Sequence, residues 1–157
     1  MPSDFDITRY LPYLVNRVGV RLATAFSDAI RHHDITLQMW RVLAALDHED
    51  AQRIGALADA TSIDVSTLSR LVGAMERKGL VVRRRGNGGD ARVVTVETTA
   101  RARDITASLI PLAQEYEQVA LSDLSAEEIA ALKDMLVRIY ENTEALEGLA
   151  EEDADAA

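Results

Sequence analysis

The chain has 157 residues, 48% of them hydrophobic, and a formal net charge of −9. That length suits one domain burying roughly 70% of the surface its unfolded form exposes, and the lack of cysteine excludes disulfides, thiol redox sensing and thiolate metal sites. No apolar run approaches the ~20 residues of a membrane span and MPSDFDITRY lacks the basic-then-apolar pattern of a signal peptide, so a cytoplasmic protein without membrane association is expected.

From the N-terminus, Leu11, Leu14, Val18, Leu22, Ala25 and Ala29 follow the 3-4 rhythm of one helical stripe, predicting a long amphipathic helix over residues 8–32 with Pro12 in its first turn. DITLQMWRVLAALDHED predicts a second helix, N-capped by Thr36, with Leu37, Trp40, Leu43, Ala44 and Leu46 inward and an acidic turn after it. RIGALADATSI predicts a short third helix with Ile54, Leu57 and Ala58 on its apolar side. Asp64 then caps a fourth helix running to Lys78, with Val65, Leu68, Leu71, Val72 and Met75 as its buried face and Gly79 as its stop.

After Gly79 the period changes. LVVRRR and ARVVTVE are β-branched runs of strand length, and the GNGGD between them tolerates positive φ, which predicts a β-hairpin. TTARARDITASLIPLAQEYEQVALSDL returns to helix, with a kink expected at Pro111, which removes a donor and crowds the preceding turn. Ser125 and Glu128 form a capping box for a last helix in which Ile129, Leu132, Leu136 and Ile139 step by 3, 4 and 3. The acidic tail, residues 148–157, has the composition of a disordered segment.

Charge is distributed unevenly along this order. Residues 53–103 carry ten basic side chains against five acidic, a local +5, while the rest of the chain holds seven against 21, or −14. A basic middle between acidic flanks predicts that a polyanion would be bound through one face only. No nucleophile elbow, Walker loop or paired-histidine motif is present, and the histidines at 32, 33 and 48 lack ligand spacing, so neither an enzyme nor a metal or other cofactor is expected.

The fold class that follows is mainly α with a small β-hairpin, centred on a winged helix-turn-helix. At ITLQMWRVLAAL through IGALADATSIDVSTLSRLVGAMERKGLVVRRRGNGGDARVVTV the chain resembles a MarR-type transcriptional regulator, and the flanking helices extend the likeness over most of the sequence. Asp90-x-Arg92 is the sharpest single match. One departure follows the hairpin: where such proteins commonly carry Leu-Thr-x-x-Gly, this chain has Thr98-Thr99-Ala100-Arg101-Ala102. The expected organisation is a DNA-binding lobe over residues 35–97 and dimerisation helices over 8–32 and 98–147.

In a helix-turn-helix the N-terminal end of the second helix meets base edges. Ser66, Thr67, Ser69 and Arg70 fall between apolar positions and are expected on the outer face, hydroxyls toward phosphate or bases and Arg70 toward guanine. Arg83, Arg84, Arg85 and Arg92 are expected to contact DNA: the first three alternate along a strand, so at most two point the same way, and Arg92 follows the turn, where it can enter a narrow minor groove. Asp90 is expected to hold a wing arginine in place, as the resemblance also implies.

The apolar stripes of the terminal helices exceed what one small core covers, which predicts a homodimer through Leu11, Leu14, Val18, Ile129, Leu132, Leu136 and Ile139. Two-fold symmetry would set the recognition helices ~34 Å apart on a pseudo-palindromic operator. The resemblance further implies a small aromatic or anionic effector between dimerisation helices and DNA-binding lobe, where Tyr10, Tyr13, Arg17, His33, Met39 and Trp40 are the candidates. The competing reading is a protein-interaction adaptor that uses the same faces without sequence-specific DNA binding.

Overall fold

A computed structural model describes residues 5–85 and 94–146. The hairpin tip with Asp90 and Arg92, and the acidic tail, lie outside the described residues. The elements are α1 (Leu11–Ile30), α2 (Leu37–His48), β1 (Gln52–Arg53), α3 (Ile54–Thr61), α4 (Val65–Arg77), β2 (Val81–Arg85), β3 (Val94–Thr98), α5 (Ala100–Ala120) and α6 (Ala126–Asn142). The chain is mainly α with a small antiparallel sheet, as its periodicities predict. Two compact units are present, residues 1–116 and 117–157. Among the described residues no helix is long and apolar enough to cross a membrane.

The core lies in the first unit. Ile30, Val42, Leu43, Leu46, Leu57, Leu68, Val72, Met75, Leu80, Val81, Val96 and Leu109 are fully enclosed there. Thr36 caps α2 through its hydroxyl, which accepts from the Met39 amide at 3.2 Å. The buried face of α2 is Met39, Val42, Leu43 and Leu46, so the expected inward face is rotated. Leu37, Trp40 and Ala44 lie on the adjoining flank, half-buried, where Trp40 meets Phe26 of α1 with ring centroids 5.4 Å apart. Counting apolar residues alone did not separate that flank from the centre of the face.

The sheet has three strands, in the order β1-β3-β2, not the two of a simple hairpin. β1 is only two residues long, too short for any period, and pairs Gln52 with Val96 and Arg53 with Thr95. Asp50 secures this join: its Oδ1 accepts from the Thr98 amide at 3.0 Å and its Oδ2 from the Thr98 hydroxyl at 3.1 Å. The next residue, Ala51, is forced to φ 59°, a left-handed conformation that costs a residue with a Cβ.

After the sheet, Thr99, at the threonine position of the Leu-Thr-x-x-Gly step, caps α5 although Thr98 and Ala102 depart from that step. Its hydroxyl accepts from the Ala102 amide at 3.1 Å and donates to the Gly79 carbonyl at 2.8 Å. α5 continues as one helix through Pro111, where a kink was expected. In the second unit both halves of the capping box form: the Ser125 hydroxyl accepts from the Glu128 amide, and the Glu128 carboxylate accepts from the Ser125 amide.

Candidate nucleic-acid interface

The helix-turn-helix is α3, a three-residue turn and α4. Ser62 closes α3 at φ 52°, and Ile63 turns its side chain into the core while its amide donates to the Ala58 carbonyl at 3.2 Å. Asp64 then starts α4, its Oδ1 accepting from the Thr67 amide at 2.9 Å and from the Ser66 hydroxyl at 2.7 Å. Hydrogen bonding from Thr67, side chain and amide, and then from Ser66 lowers the Asp64 carboxyl to about 2, so it is ionised at neutral pH. An anion at this end also suits the positive pole of the helix.

The 13 residues of α4 divide by face. Leu68, Val72 and Met75 are enclosed, whereas Ser66, Ser69 and Arg70 stand exposed and Thr67 is half-buried. Val65, expected inward, is 55% exposed; as the first helical residue it precedes the stretch of α4 that packs on the core. Arg70 folds back along its own helix, donating from Nε to the Ser66 carbonyl at 3.3 Å and from Nη2 to the Ser66 hydroxyl at 3.4 Å. These contacts are long and solvent-exposed, so the guanidinium gives them up cheaply for a better acceptor.

The C-terminal end of α4 is fixed from several sides. Gly79, at φ 68°, closes a Schellman motif: its amide donates to the Glu76 carbonyl and the Leu80 amide to the Met75 carbonyl, each at 2.9 Å. Lys78 reaches back 44 residues to Asp34, Nζ donating to the carboxylate at 2.6 Å and to the carbonyl at 2.9 Å. The N-terminal end of the helix is therefore open while its far end is anchored.

Cross-strand register explains the three wing arginines. Arg83 opposes Val96 and Arg85 opposes Val94, so these two share the core-side face of the sheet. Arg84 points the other way and pairs diagonally with Glu97 at 3.5 Å. Arg83 crosses to α4, and Arg85 has no ion pair among the described residues. Sequence reasoning could not tell these three environments apart, because the partners that distinguish Arg83 and Arg84 come from other elements.

The effector candidates are not gathered in one place. Tyr10, Tyr13 and Arg17 stand at the start of α1, with the Arg17 guanidinium 5.4 Å from the Tyr13 ring centre. His33 lies beyond the other end of that 20-residue helix, about 30 Å away by helical rise. Burial, and then the neighbouring His32, lowers the His33 pKa and favours its neutral form. Met39 is enclosed in the core. Trp40 belongs to an aromatic group that the sequence did not reveal: Phe26 contacts both Trp40 and Tyr116, with centroids at 5.4 and 5.7 Å.

Among the expected dimer contacts, Leu11, Leu14 and Val18 of α1 are 40–58% exposed. On α6, Ile129 and Leu132 are half-buried, and Leu136 and Ile139 are exposed at 41% and 38%.

Comparison with known proteins agrees with this geometry. A family model described as MarR family matches residues 33–93, from the turn after α1 to the residue before β3. The transcriptional regulator HosA of Escherichia coli O157:H7 is 34% identical over 110 residues, 70% of this chain and 80% of HosA. The HTH-type transcriptional repressor NicR of Pseudomonas putida is 24% identical over 142 residues, covering 90% of this chain and 89% of NicR. The crystal structure of a MarR family transcriptional regulator from Silicibacter pomeroyi DSS-3 shares 32% identity, with a TM-score of 0.73, over 87% of this chain and 99% of that one. With helix-turn-helix, wing and flanking helices all matched, the chain belongs to the MarR family of DNA-binding transcriptional regulators.

Proposed function

We propose that the protein is a homodimeric repressor that reads a pseudo-palindromic operator and lets go of it when a small aromatic or anionic molecule binds. The observation that carries the DNA half of this reading is the outer face of α4, where Ser66, Ser69 and Arg70 stand free of the core at the open end of an anchored helix. Arg70 would pair with guanine, the hydroxyls with phosphate or base edges, and the wing with the adjacent backbone and minor groove. Arg84, Arg85 and Arg92 supply the wing's positive charge, with Asp90 orienting Arg92. Repression is supported by the likeness to the repressor NicR.

The exposed stripes of α1 and of α6, each taken by itself, support the dimer, since apolar surface of this kind marks an interaction site. For release, Trp40 and Tyr116, both half-buried against Phe26, supply ring surface for an aromatic molecule, and Tyr10, Tyr13, Arg17 and His33 supply polar groups at the ends of α1. The effector must favour the arrangement that does not fit DNA, because equal affinity for both states shifts nothing.

Two variants test the site. Arg70→Ala should cost roughly 1–3 kcal/mol of operator affinity and relax preference at one base position, whereas Arg92→Ala should weaken binding to all sequences alike. If both variants bind and discriminate as the unaltered protein does, the assignment of the reading face is wrong.

A further inference from the structure

Arg83 carries the same charge as its neighbours in sequence, yet its surroundings differ from those of Arg84 and Arg85. Its Nη2 donates to the Ser69 carbonyl at 2.8 Å, and its Nη1 lies 3.9 Å from Glu76 Oε2. Its backbone amide, on the outer edge of the sheet because β2 is an edge strand, donates to Glu76 Oε1 at 3.2 Å. Ser69, Gly73 and Glu76 are spaced four and three apart, one stripe of α4, and the guanidinium lies along it. A Cβ on Gly73 would sit 3.7 Å from Arg83 Nη2, ordinary van der Waals contact, which places the guanidinium directly beside this turn of α4.

We infer that Arg83 is a positioning residue: with Glu76 it clamps the first wing strand onto the recognition helix, so that helix and wing meet DNA as one rigid head, and it does not itself contact phosphate. This rests on the DNA-reading function proposed above. One nitrogen of the guanidinium hydrogen-bonds to the Ser69 carbonyl while the other lies at ion-pair distance from Glu76, two neighbours that a planar, delocalised cation serves at once and a lysine would not. Glu76 also answers the open N–H of an edge strand, which would otherwise be an unpaired donor. Arg85, two residues on and facing the same side, is left as the cation for the DNA backbone.

The test uses the full chain, its selected operator and the variants Arg83→Ala, Arg83→Lys, Glu76→Ala and Arg85→Ala, each measured over a salt series. A lost phosphate contact lowers the slope of log affinity against log salt by about 0.9, which is the result expected for Arg85→Ala. Arg83→Ala and Glu76→Ala should each weaken binding roughly tenfold with the slope unchanged, and Arg83→Lys should not restore it. Glu76→Ala is the sharpest arm, because deleting an acid near DNA strengthens binding unless that acid holds something in place.

In the DNA-free protein the Arg83 amide should be protected from hydrogen exchange and should lose that protection in Glu76→Ala. The inference is overturned if Arg83→Ala takes about 0.9 from the slope while Glu76→Ala binds as well or better. It is equally overturned if the Arg83 amide of the unaltered protein exchanges at the rate of an open loop. Failure of the regulator reading shows differently, since the unaltered protein then selects no duplex at all.

Discussion

The recognition helix α4 and the last helix α6 are both amphipathic, and their apolar faces meet opposite ends. α4 sends Leu68, Val72 and Met75 into the core, whereas α6 has no buried residue and leaves Met135, Leu136, Val137, Ile139 and Tyr140 between 38% and 61% exposed. The first helix repeats the contrast within itself, enclosing Phe26 and Ile30 near its end while Leu11, Leu14, Val15 and Val18 face outward. The helix-turn-helix is thus finished by its own chain, whereas the outward stripes are the faces that the proposed dimer would cover. A mutation should reveal which kind of face it strikes by whether it changes folding or association.

The largest effect belongs to the finished face. Leu68→Ala, which opens a void at a fully enclosed position, should cost about 2–5 kcal/mol in denaturant unfolding. A loss under 1 kcal/mol would mean that the lobe is packed more loosely than described. The unfinished face should respond in the opposite way. Leu136→Glu combined with Ile139→Glu should leave the circular dichroism of the lobe intact, halve the sedimenting mass, and weaken operator binding on the order of a hundredfold through loss of the second half-site. If the double variant still sediments as a dimer, α6 is not the interface.

Two smaller effects sharpen the picture of the lobe. Ala51→Gly should raise stability by about 0.5–1 kcal/mol in thermal unfolding, because glycine adopts φ 59° without a Cβ clash. The cap of α4 should show itself in acid. Asp64 has its carboxyl lowered from 3.8 to about 2 in the folded state, so its contribution is complete above pH ~4 and is lost as pH falls through about 2. Asp64→Asn, which can still cap, should therefore flatten the stability profile between those two pH values while changing little at pH 7.

Periodicity and caps made most of the fold legible. Thr36, Asp64 and Ser125 cap the helices they were expected to cap, and Gly79 ends α4 where a positive φ is required. These are local signals, carried within a few residues. What stayed hidden was non-local: β1 is too short to have a period, Asp50 acts on Thr98 across 48 residues, and Lys78 acts on Asp34 across 44. The same limit applied at the candidate site. Ser66, Ser69 and Arg70 were readable as an outward face from helix geometry alone, but Arg83 looked equivalent to its two neighbours until Glu76 and the Ser69 carbonyl were placed beside it. Met39 fell to the core for a related reason, since a single apolar residue does not say how a helix is rotated.

The central claim is that two copies of this lobe read one operator. Selection of bound sequences from randomised duplex DNA, with the winners re-measured between about 50 and 200 mM salt, tests it most directly. The account predicts an enriched inverted repeat with half-sites about 10 bp apart centre to centre and an affinity that falls steeply with salt. Absence of enrichment, with weak or salt-insensitive binding, would contradict it and favour a winged-helix adaptor that binds protein.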